Sequence, residues 1–426
     1  MPTITATPNP VSGTRVDVIG TGFATKYWVS LVLNGMGTTT KVGVKRDGTF
    51  SVGFPIYSTL VDGSYKLEAR KAGSTTVLAY TTVVVKRTVP PPPPVTSSRP
   101  IYGYGAQVTG GTDKEIVHVT TLANSGPGSL AYFMYNKAAD KHIVFDVEGT
   151  LHLSTKIDCR GSNLTIDGAS APGKGITLTG ETVQVAYGAR NLIFNDIRHR
   201  GFGTTASQEG DCLSFSSDTK GILITRCSLS GANDETIDHW NNVHDSTIQD
   251  CIIGPHQPAS MEHNFAVLFG AKSDRISFHH NLIFGSKYRN PAVGWDDSDA
   301  GEVSPGIVAE VIENLIWDYT AYGISVYWGA GANVEGNYVQ GRTSNVMELA
   351  VSTGARAFIN NNYSREGYTF PASNASKFVV PTYAAIAREG TPRAAAESIL
   401  AKAGCRVGGL DEYDQNIINI ILAKGL

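Results

Sequence analysis

The chain has 426 residues, of which 41% are hydrophobic and 17% charged, a composition typical of a folded globular protein. Its 35 basic and 38 acidic residues give a net charge of −3, which argues against a general nucleic-acid binder or a basic membrane-surface protein. It contains no run of about 18 apolar residues, so no transmembrane helix is expected. The 46 glycines favour a β-rich chain, and the five cysteines, an odd number, argue against a disulfide framework.

The first 88 residues predict a small β domain. Residues 15–19 and 28–33 alternate apolar and polar side chains, and the second run ends at Asn34-Gly35, a hairpin turn pair. About six or seven such strands fit into this segment, which predicts an immunoglobulin-like β-sandwich. A spacer or assembly role and a carbohydrate- or cell-surface-binding role both remain open.

A proline-rich linker is expected at residues 89–100, because Pro90 to Pro94 are consecutive prolines. Such a run adopts the polyproline II conformation and separates domains as a stiff spacer. Residues 101–426 therefore form a second, larger domain.

The larger domain contains a repeat in which an apolar residue is followed three positions later by Asn or Cys. These Asn and Cys positions are separated by 24, 30, 33, 23 and 24 residues. A period of 20–50 residues indicates a solenoid, and strand-like segments with a recurring Asn indicate an all-β, right-handed parallel β-helix. The repeat positions are Cys227, Cys251, Asn281, Asn314, Asn337 and Asn361.

The ends of a solenoid expose its core and must be covered. A short helix is predicted over residues 129–139, with Ser129 as its N-cap, at the N-terminal end. Two further helices, over residues 393–403 and 413–423, are predicted to cover the C-terminal side.

Acidic residues cluster on two neighbouring coils, at Asp211 on the first and at Asp234, Glu235 and Asp238 on the second. In a strand with Ile237 facing the core, Asp234 and Asp238 project outward together. Close carboxylates repel one another and suit a hard cation such as Ca²⁺, although a solvated acidic patch is the alternative. Two coils further on, Arg289 is placed to reach a shared substrate, or is an ordinary surface salt-bridge residue.

Aromatic residues follow on the same part of the chain and are candidates for stacking on sugar rings, with packing in the core or rim equally open. They are Tyr288, Trp295, Tyr327 and Trp328.

Taken together, these segments resemble the pectate lyases of the first polysaccharide lyase family, in the branch with an Arg-Asn-Pro motif. The motif here is Arg289-Asn290-Pro291, and the resemblance extends along most of residues 101–426. The other segments that carry it are 163–178, 193–200, 210–214, 227–235 and 279–282.

The resemblance implies an extracellular, calcium-dependent enzyme that cleaves pectate (polygalacturonate) by β-elimination. It implies Ca²⁺ ligands at Asp211, Asp234 and Asp238, with Arg289 as the base. Because arginine is normally protonated, an alkaline optimum is expected. It also places His263 at the position of a family histidine. Together with the stacking candidates Tyr288 and Trp295, His263 forms the expected set of substrate-binding residues.

The chain departs from the family at two positions. Ala292 stands where a second basic residue often follows the Arg-x-Pro motif, and residues 260–265 lack the usual substrate-binding lysine. The grip on substrate is therefore weaker, or the substrate differs from plain polygalacturonate.

Two other functions stay open. A glycoside hydrolase such as a polygalacturonase uses a carboxylate pair and no metal. A non-enzymatic adhesin or phage tail protein would also suit a β-helix and would be virion-associated, since the first residues show no signal peptide. In either case the expected form is a monomer.

Overall fold

The chain divides into two compact units, Met1–Pro91 with Ile418–Leu426 and Pro92–Ile417. Among the described residues, no helix has the length and apolarity needed to cross a membrane. The computed structural model describes residues 1–7, 15–25, 27–33, 39–56, 63–85, 99–135, 140–201, 210–254, 264–270, 272–294 and 308–426.

The first unit consists of two antiparallel sheets around one core. The sheets share a single cluster of buried side chains that includes Val18, Phe54, Leu31, Leu67 and Val83. The two-sheet arrangement agrees with the expected sandwich, and its immunoglobulin-like class stays a prediction. Of the predicted linker, residues 89–100, positions 89–98 lie outside the described residues. The strands are Thr3–Thr7, Arg15–Thr21 and Phe50–Pro55 in one sheet, and Thr39–Gly43, Trp28–Leu33, Gly63–Lys71 and Val77–Val85 in the other.

The second unit is a parallel β-helix, as the repeat predicts. Each coil contributes one strand to each of three parallel sheets, here called sheets I, II and III, and the chain visits them in that order. In sheet III, Leu213 pairs with Ile237 and Ile237 with Val267. All three side chains are buried in the core, so the residues directly before and after each of them along its strand face outward.

The described strands of the β-helix follow in sheet order. Sheet I contains Glu115–Val119, Lys141–Phe145, Leu164–Asp167, Arg190–Asn195, Lys220–Thr225, His244–Gln249, Asp274–His279, Val308–Ile312, Gly331–Glu335 and Arg356–Asn360. Sheet II contains Gly149–Leu153, Ile176–Gly180, Arg198–Arg200, Ser228–Ser230, Ile252–Ile253, Leu282–Phe284, Leu315–Tyr319, Tyr338–Gly341 and Tyr363–Ser364. Sheet III contains Ile157–Cys159, Val183–Val185, Leu213–Ser216, Glu235–Trp240, Phe265–Phe269, Ala292–Val293, Ile324–Val326 and Met347–Leu349.

The Asn repeat forms a column at the turn between sheets I and II. Each column residue follows a residue with left-handed backbone, such as His280 (φ 56°) before Asn281. The last position was predicted one residue too early. Asn361 has the left-handed backbone (φ 53°), and Asn362 is the column residue that accepts a hydrogen bond from the backbone N–H of Asn337 at 2.9 Å.

The ends of the β-helix are covered in two different ways. A helix, Leu130–Tyr135, contacts the first strand of sheet III, and Ser129 Oγ accepts the N–H of Tyr132 at 3.2 Å, as predicted for its N-cap.

At the other end, two helices were expected to cover the core, and this prediction is wrong for the first of them. Helix Pro392–Lys402 packs on sheet II, against the strands Leu315–Tyr319 and Tyr338–Gly341. The last strand of sheet I is instead bonded by an irregular segment, in which Asn374 exchanges hydrogen bonds with the backbone of Ala357. The final helix is Glu412–Ala423.

Candidate active site

The predicted acidic cluster lies at the start of two adjacent strands of sheet III. Because Leu213 pairs with Ile237, Asp211 is brought beside Glu235, the first residue of its strand. The backbone N–H of Glu235 donates to Oδ1 of Asp211 at 3.1 Å. This bond fixes the position of the first carboxylate relative to the second strand.

Three carboxylates converge at this point. One oxygen from each of Asp211, Asp234 and Glu235 lies within 4.8 Å of the others, close enough for one cation. Glu235 is buried, and the two aspartates are half-buried. The sequence placed Asp211 and Asp234 correctly in one cluster but did not single out Glu235 as a ligand.

Asp238, the third predicted ligand, lies three residues after Glu235 in the same strand, and its side chain faces outward. Ser214 pairs with it across the sheet and donates its hydroxyl to Oδ2 at 3.4 Å. The other carboxylate oxygen, Oδ1, is buried and has no hydrogen-bond partner among the described residues. Asp238 is therefore near enough to feel the charges of Asp211 and Asp234, but it is not a member of the group of three.

The cluster holds more negative charge than its surroundings compensate. Burial, followed by the charge of Asp234, raises the pKa of Asp211 well above its usual range. Burial and the charges of Asp211 and Asp234 raise the pKa of Asp238 in the same way. Carboxylates that are buried together in this manner are stabilised in their charged form by a divalent cation.

Arg289 lies two strands away from this cluster, as the coil count predicts, and its side chain reaches back to contact it. Its guanidinium forms an ion pair with Oε1 of Glu235. On the way it crosses the ring of Phe265, whose centroid lies 3.9 Å from Cζ. The side chain is only 12% exposed, and burial lowers the pKa of Arg289 even though Asp234 and Asp211 oppose that shift.

Aromatic side chains continue the site beyond Arg289. The ring of Tyr288 lies 5.0 Å from that of Tyr322 and 5.8 Å from that of Phe265, measured between centroids. Tyr327 donates its hydroxyl to Glu348 at 2.8 Å. Tyr288 is thus part of an aromatic surface next to Arg289, and Tyr322, which the sequence did not indicate, belongs to the same surface.

The outward row of sheet III beside Asp238 carries neutral side chains. Leu268 pairs with Asp238, and Ala292 pairs with Leu268. The absence of a basic side chain in this row, inferred from the sequence, therefore holds for these described positions. His263 and Trp295, the other two candidate substrate-binding residues, lie outside the described residues.

Comparison with curated sequences finds fungal relatives. The chain is 27% identical over 272 residues to a protein named "Probable pectate lyase C" from Emericella nidulans, covering 62% of this chain and 56% of that protein. It is 28% identical over 275 residues to the protein of the same name from Aspergillus terreus, with 62% and 57% covered. The chain thus spans less than three fifths of the length of these relatives. No family model matches it.

Comparison with solved structures finds the same architecture. Jun a 1, the major allergen from cedar pollen, aligns with a TM-score of 0.53 at 16% identity, over 71% of this chain and 92% of that one. A pectate lyase from Bacillus sp. N165 in complex with trigalacturonate aligns with a TM-score of 0.53 at 15% identity, over 71% and 98%. The chain therefore has a parallel β-helix fold and is a distant sequence relative of proteins named as pectate lyases.

Proposed function

We propose that the protein is a calcium-dependent polysaccharide lyase that cleaves polygalacturonate by β-elimination and releases unsaturated oligogalacturonates. The observation that carries this proposal is the position of Arg289, a buried arginine in contact with a group of carboxylates on an outer face of a β-helix. The fungal relatives named as pectate lyases support the same reaction class.

Calcium fits the residues present. Asp211, Asp234 and Glu235 supply three oxygen ligands within 4.8 Å of one another, and Asp238 supplies a buried oxygen without a hydrogen bond among the described residues. Oxygen-rich, negatively charged sites of this kind suit Ca²⁺. When bound, calcium supplies the positive charge that neutralises a uronate carboxylate and makes the adjacent C5–H more acidic.

Arg289 serves as the base in this proposal. It removes the C5 proton of a galacturonate unit, the C4–C5 double bond forms, and the C4–O bond breaks so that the leaving sugar departs with a proton. Burial shifts the pKa of Arg289 in the direction that a base requires. Since an arginine is neutral only at high pH, the reaction is expected to be fastest in alkaline solution.

The remaining residues bind and orient. The ring of Phe265 packs against the guanidinium of Arg289. The rings of Tyr288 and Tyr322 offer aromatic faces on which sugar rings can stack. The candidate substrate-binding residues His263 and Trp295 lie in sequence on either side of the segment that carries Phe265, Tyr288 and Arg289. We place the protein outside the cell as a monomer, with the predicted immunoglobulin-like unit at residues 1–88 and the linker at 89–100 as an accessory region.

The test is the ultraviolet absorbance of polygalacturonate incubated with the protein at alkaline pH, with Ca²⁺ and then with excess chelator. Elimination produces an absorbing double bond, whereas hydrolysis does not. We expect a rise that the chelator stops and that Arg289→Ala reduces by about a thousandfold, within the range for loss of a general base. Reducing sugar released without absorbance would instead support the hydrolase.

A matched control is Arg275→Ala. Arg275 lies in sheet I and pairs with Asp245 at 2.6 Å, away from the strands that carry the cluster. The Arg275→Ala variant should keep nearly full activity. An active, folded Arg289→Ala protein would remove Arg289 as the base.

A further inference from the structure

Glu235 takes part in two interactions that draw on the same carboxylate. Its Oε1 atom pairs with the guanidinium of Arg289. It also supplies one of the three oxygens that lie within 4.8 Å of one another, together with Asp211 and Asp234. The carboxylate that pairs with Arg289 is therefore also one of the three whose oxygens are close enough for a single cation.

We propose that Glu235 is a positioning residue shared between Arg289 and the bound divalent cation, so that cation binding weakens the Arg289–Glu235 ion pair and turns Arg289 toward the substrate. This inference rests on the calcium site of the proposed function. It adds a coupling between the cation and the base, which neither the carboxylate cluster nor the arginine would have separately.

The backbone on both sides of the pair is fixed. Glu235 is 4% exposed, begins a strand, and donates its N–H to Asp211. Arg289 is held by the adjacent strand, because its carbonyl accepts the N–H of Val267 at 2.8 Å. Movement is thus confined to the two side chains, and the carboxylate is the element that either partner can draw toward itself.

Two like charges compete for this carboxylate. A divalent cation and the Arg289 guanidinium are each attracted to the negative charge of the Glu235 carboxylate. Because both are positive, they repel one another at short distance in a poorly solvated site. When two ligands of one group oppose each other, each reduces the affinity for the other by the same factor. The ring of Phe265, at 3.9 Å, gives the guanidinium a second contact that persists once Glu235 turns to the metal.

The coupling is measured by calcium titration calorimetry on the full chain, in four proteins that form a cycle. They are the wild type, Arg289→Gln, Glu235→Gln and the double variant. We expect Arg289→Gln to tighten calcium binding by about tenfold, a typical size for coupling between sites. In the Glu235→Gln background, which binds calcium more weakly, the same substitution should change the affinity by less than about twofold.

A matched control separates this competition from the general electrostatic field. Lys156 lowers the pKa of Asp211 by its charge, and it is a cation outside the Glu235 pair. Lys156→Met should tighten calcium binding by a similar small factor in both backgrounds. If Arg289→Gln does the same in both, its effect is only that of a removed charge and the inference is wrong. An unchanged affinity in Arg289→Gln would show that the carboxylate bridges both partners, which also overturns it.

A second measurement does not depend on a variant that folds poorly. The wild-type chain is treated with phenylglyoxal, and modification of Arg289 is followed by peptide mass spectrometry. Calcium should increase the rate of modification at Arg289 severalfold and leave Arg275 unchanged. Equal rates with and without calcium would contradict the release of Arg289.

The lyase proposal is judged separately by ultraviolet absorbance. Calcium-dependent elimination without the calorimetric pattern would overturn only the coupling. The calorimetric pattern without elimination would overturn only the lyase.

Discussion

Two polar columns run along the β-helix, and they treat their polar groups in opposite ways. In the asparagine column, Asn281, Asn314 and Asn337 are fully buried, and each side-chain N–H donates to a carbonyl of the preceding coil at 2.8–3.0 Å. Each Oδ1 accepts a backbone N–H from the preceding column residue at 2.9–3.0 Å. These three coils thus repeat one satisfied arrangement.

The acidic column at the start of sheet III has no such balance. Asp211 and Glu235 stand on adjacent strands, and their neighbour Asp238 keeps a buried carboxylate oxygen without a hydrogen bond among the described residues. Buried charges without full compensation cost stability. The asparagine corner thus satisfies its polar groups within the fold, whereas the acidic corner leaves charge uncompensated, as expected if it is the proposed ligand site.

The largest effect is expected from breaking the asparagine column at its centre. The side chain of Asn314 makes four hydrogen bonds of 3.0–3.2 Å, to Phe278, Asn337 and two atoms of Asn281. Asn314→Ala leaves several buried groups unsatisfied and should lower the free energy of unfolding by about 4 kcal/mol, measured by urea denaturation.

Asn361→Ala is the matched control, because Asn361 is exposed and lies just outside the column. It should cost only about 1 kcal/mol, for placing alanine in a left-handed backbone conformation. Equal losses in the two variants would show that the column has no special weight.

The asparagine column was predictable from sequence because identical residues recur at a fixed turn. Its last position was missed by one residue, since Asn360, Asn361 and Asn362 are all asparagine and only the backbone conformation distinguishes them. The cover of the C-terminal end was missed because helix propensity does not say which surface a helix packs on.

The acidic site was predictable only in part. Asp211, Asp234 and Arg289 follow from motif and coil spacing. Glu235 belongs to the acidic cluster in the sequence, but it has the same parity as the buried Ile237, so alternation along the strand does not place it with Asp234 and Asp238. As the first residue of its strand, it nevertheless brings a carboxylate oxygen within 4.8 Å of those of Asp211 and Asp234. Tyr322 lies 33 residues after Arg289, the same spacing as from Asn281 to Asn314, so coil length places it on the next coil. It carries no further signal, because a single tyrosine at that position does not differ in sequence from a packing residue.

Glu310 tests whether a buried carboxylate outside the acidic column also costs stability. It lies in sheet I, 3% exposed, and burial raises its pKa from 4.5 to about 7 although Ser277 donates a hydrogen bond that opposes the shift. The native state therefore holds this proton more tightly than the unfolded chain, and stability falls as the pH rises from about 4.5 to about 7.

Glu310→Gln has no such titration. At pH 8 it should raise the free energy of unfolding by about 3 kcal/mol, and at pH 4 the gain should nearly vanish. Urea denaturation at both pH values measures the difference. A variant less stable than the wild type at pH 8 would contradict the cost assigned to the buried charge.

Asp238→Asn tests the same cost inside the acidic column. It removes a charge that Asp211 and Asp234 repel, and should stabilise the protein by about 2 kcal/mol in excess chelator. With calcium, the wild type should recover this difference. Thermal unfolding under both conditions checks the prediction, and a lower midpoint for the variant in chelator would show that repulsion among these carboxylates is not the dominant effect.

The smallest effect is expected where the asparagine column passes into cysteine. Cys251 occupies a column position, and its Sγ lies 3.8 Å from the carbonyl of Ile224, where an asparagine would place its N–H. An asparagine there would also present Oδ1 to the backbone N–H of Cys227, as Asn281 does for Cys251 at 3.0 Å. The two side chains are close in volume, so Cys251→Asn should extend the column and stabilise the protein by about 1 kcal/mol, the net worth of one hydrogen bond. Cys251→Ala, which cannot make that bond, should be less stable than the wild type when measured by urea denaturation. If Cys251→Asn and Cys251→Ala both destabilise the protein, the asparagine column depends on a coil geometry that only the later coils provide.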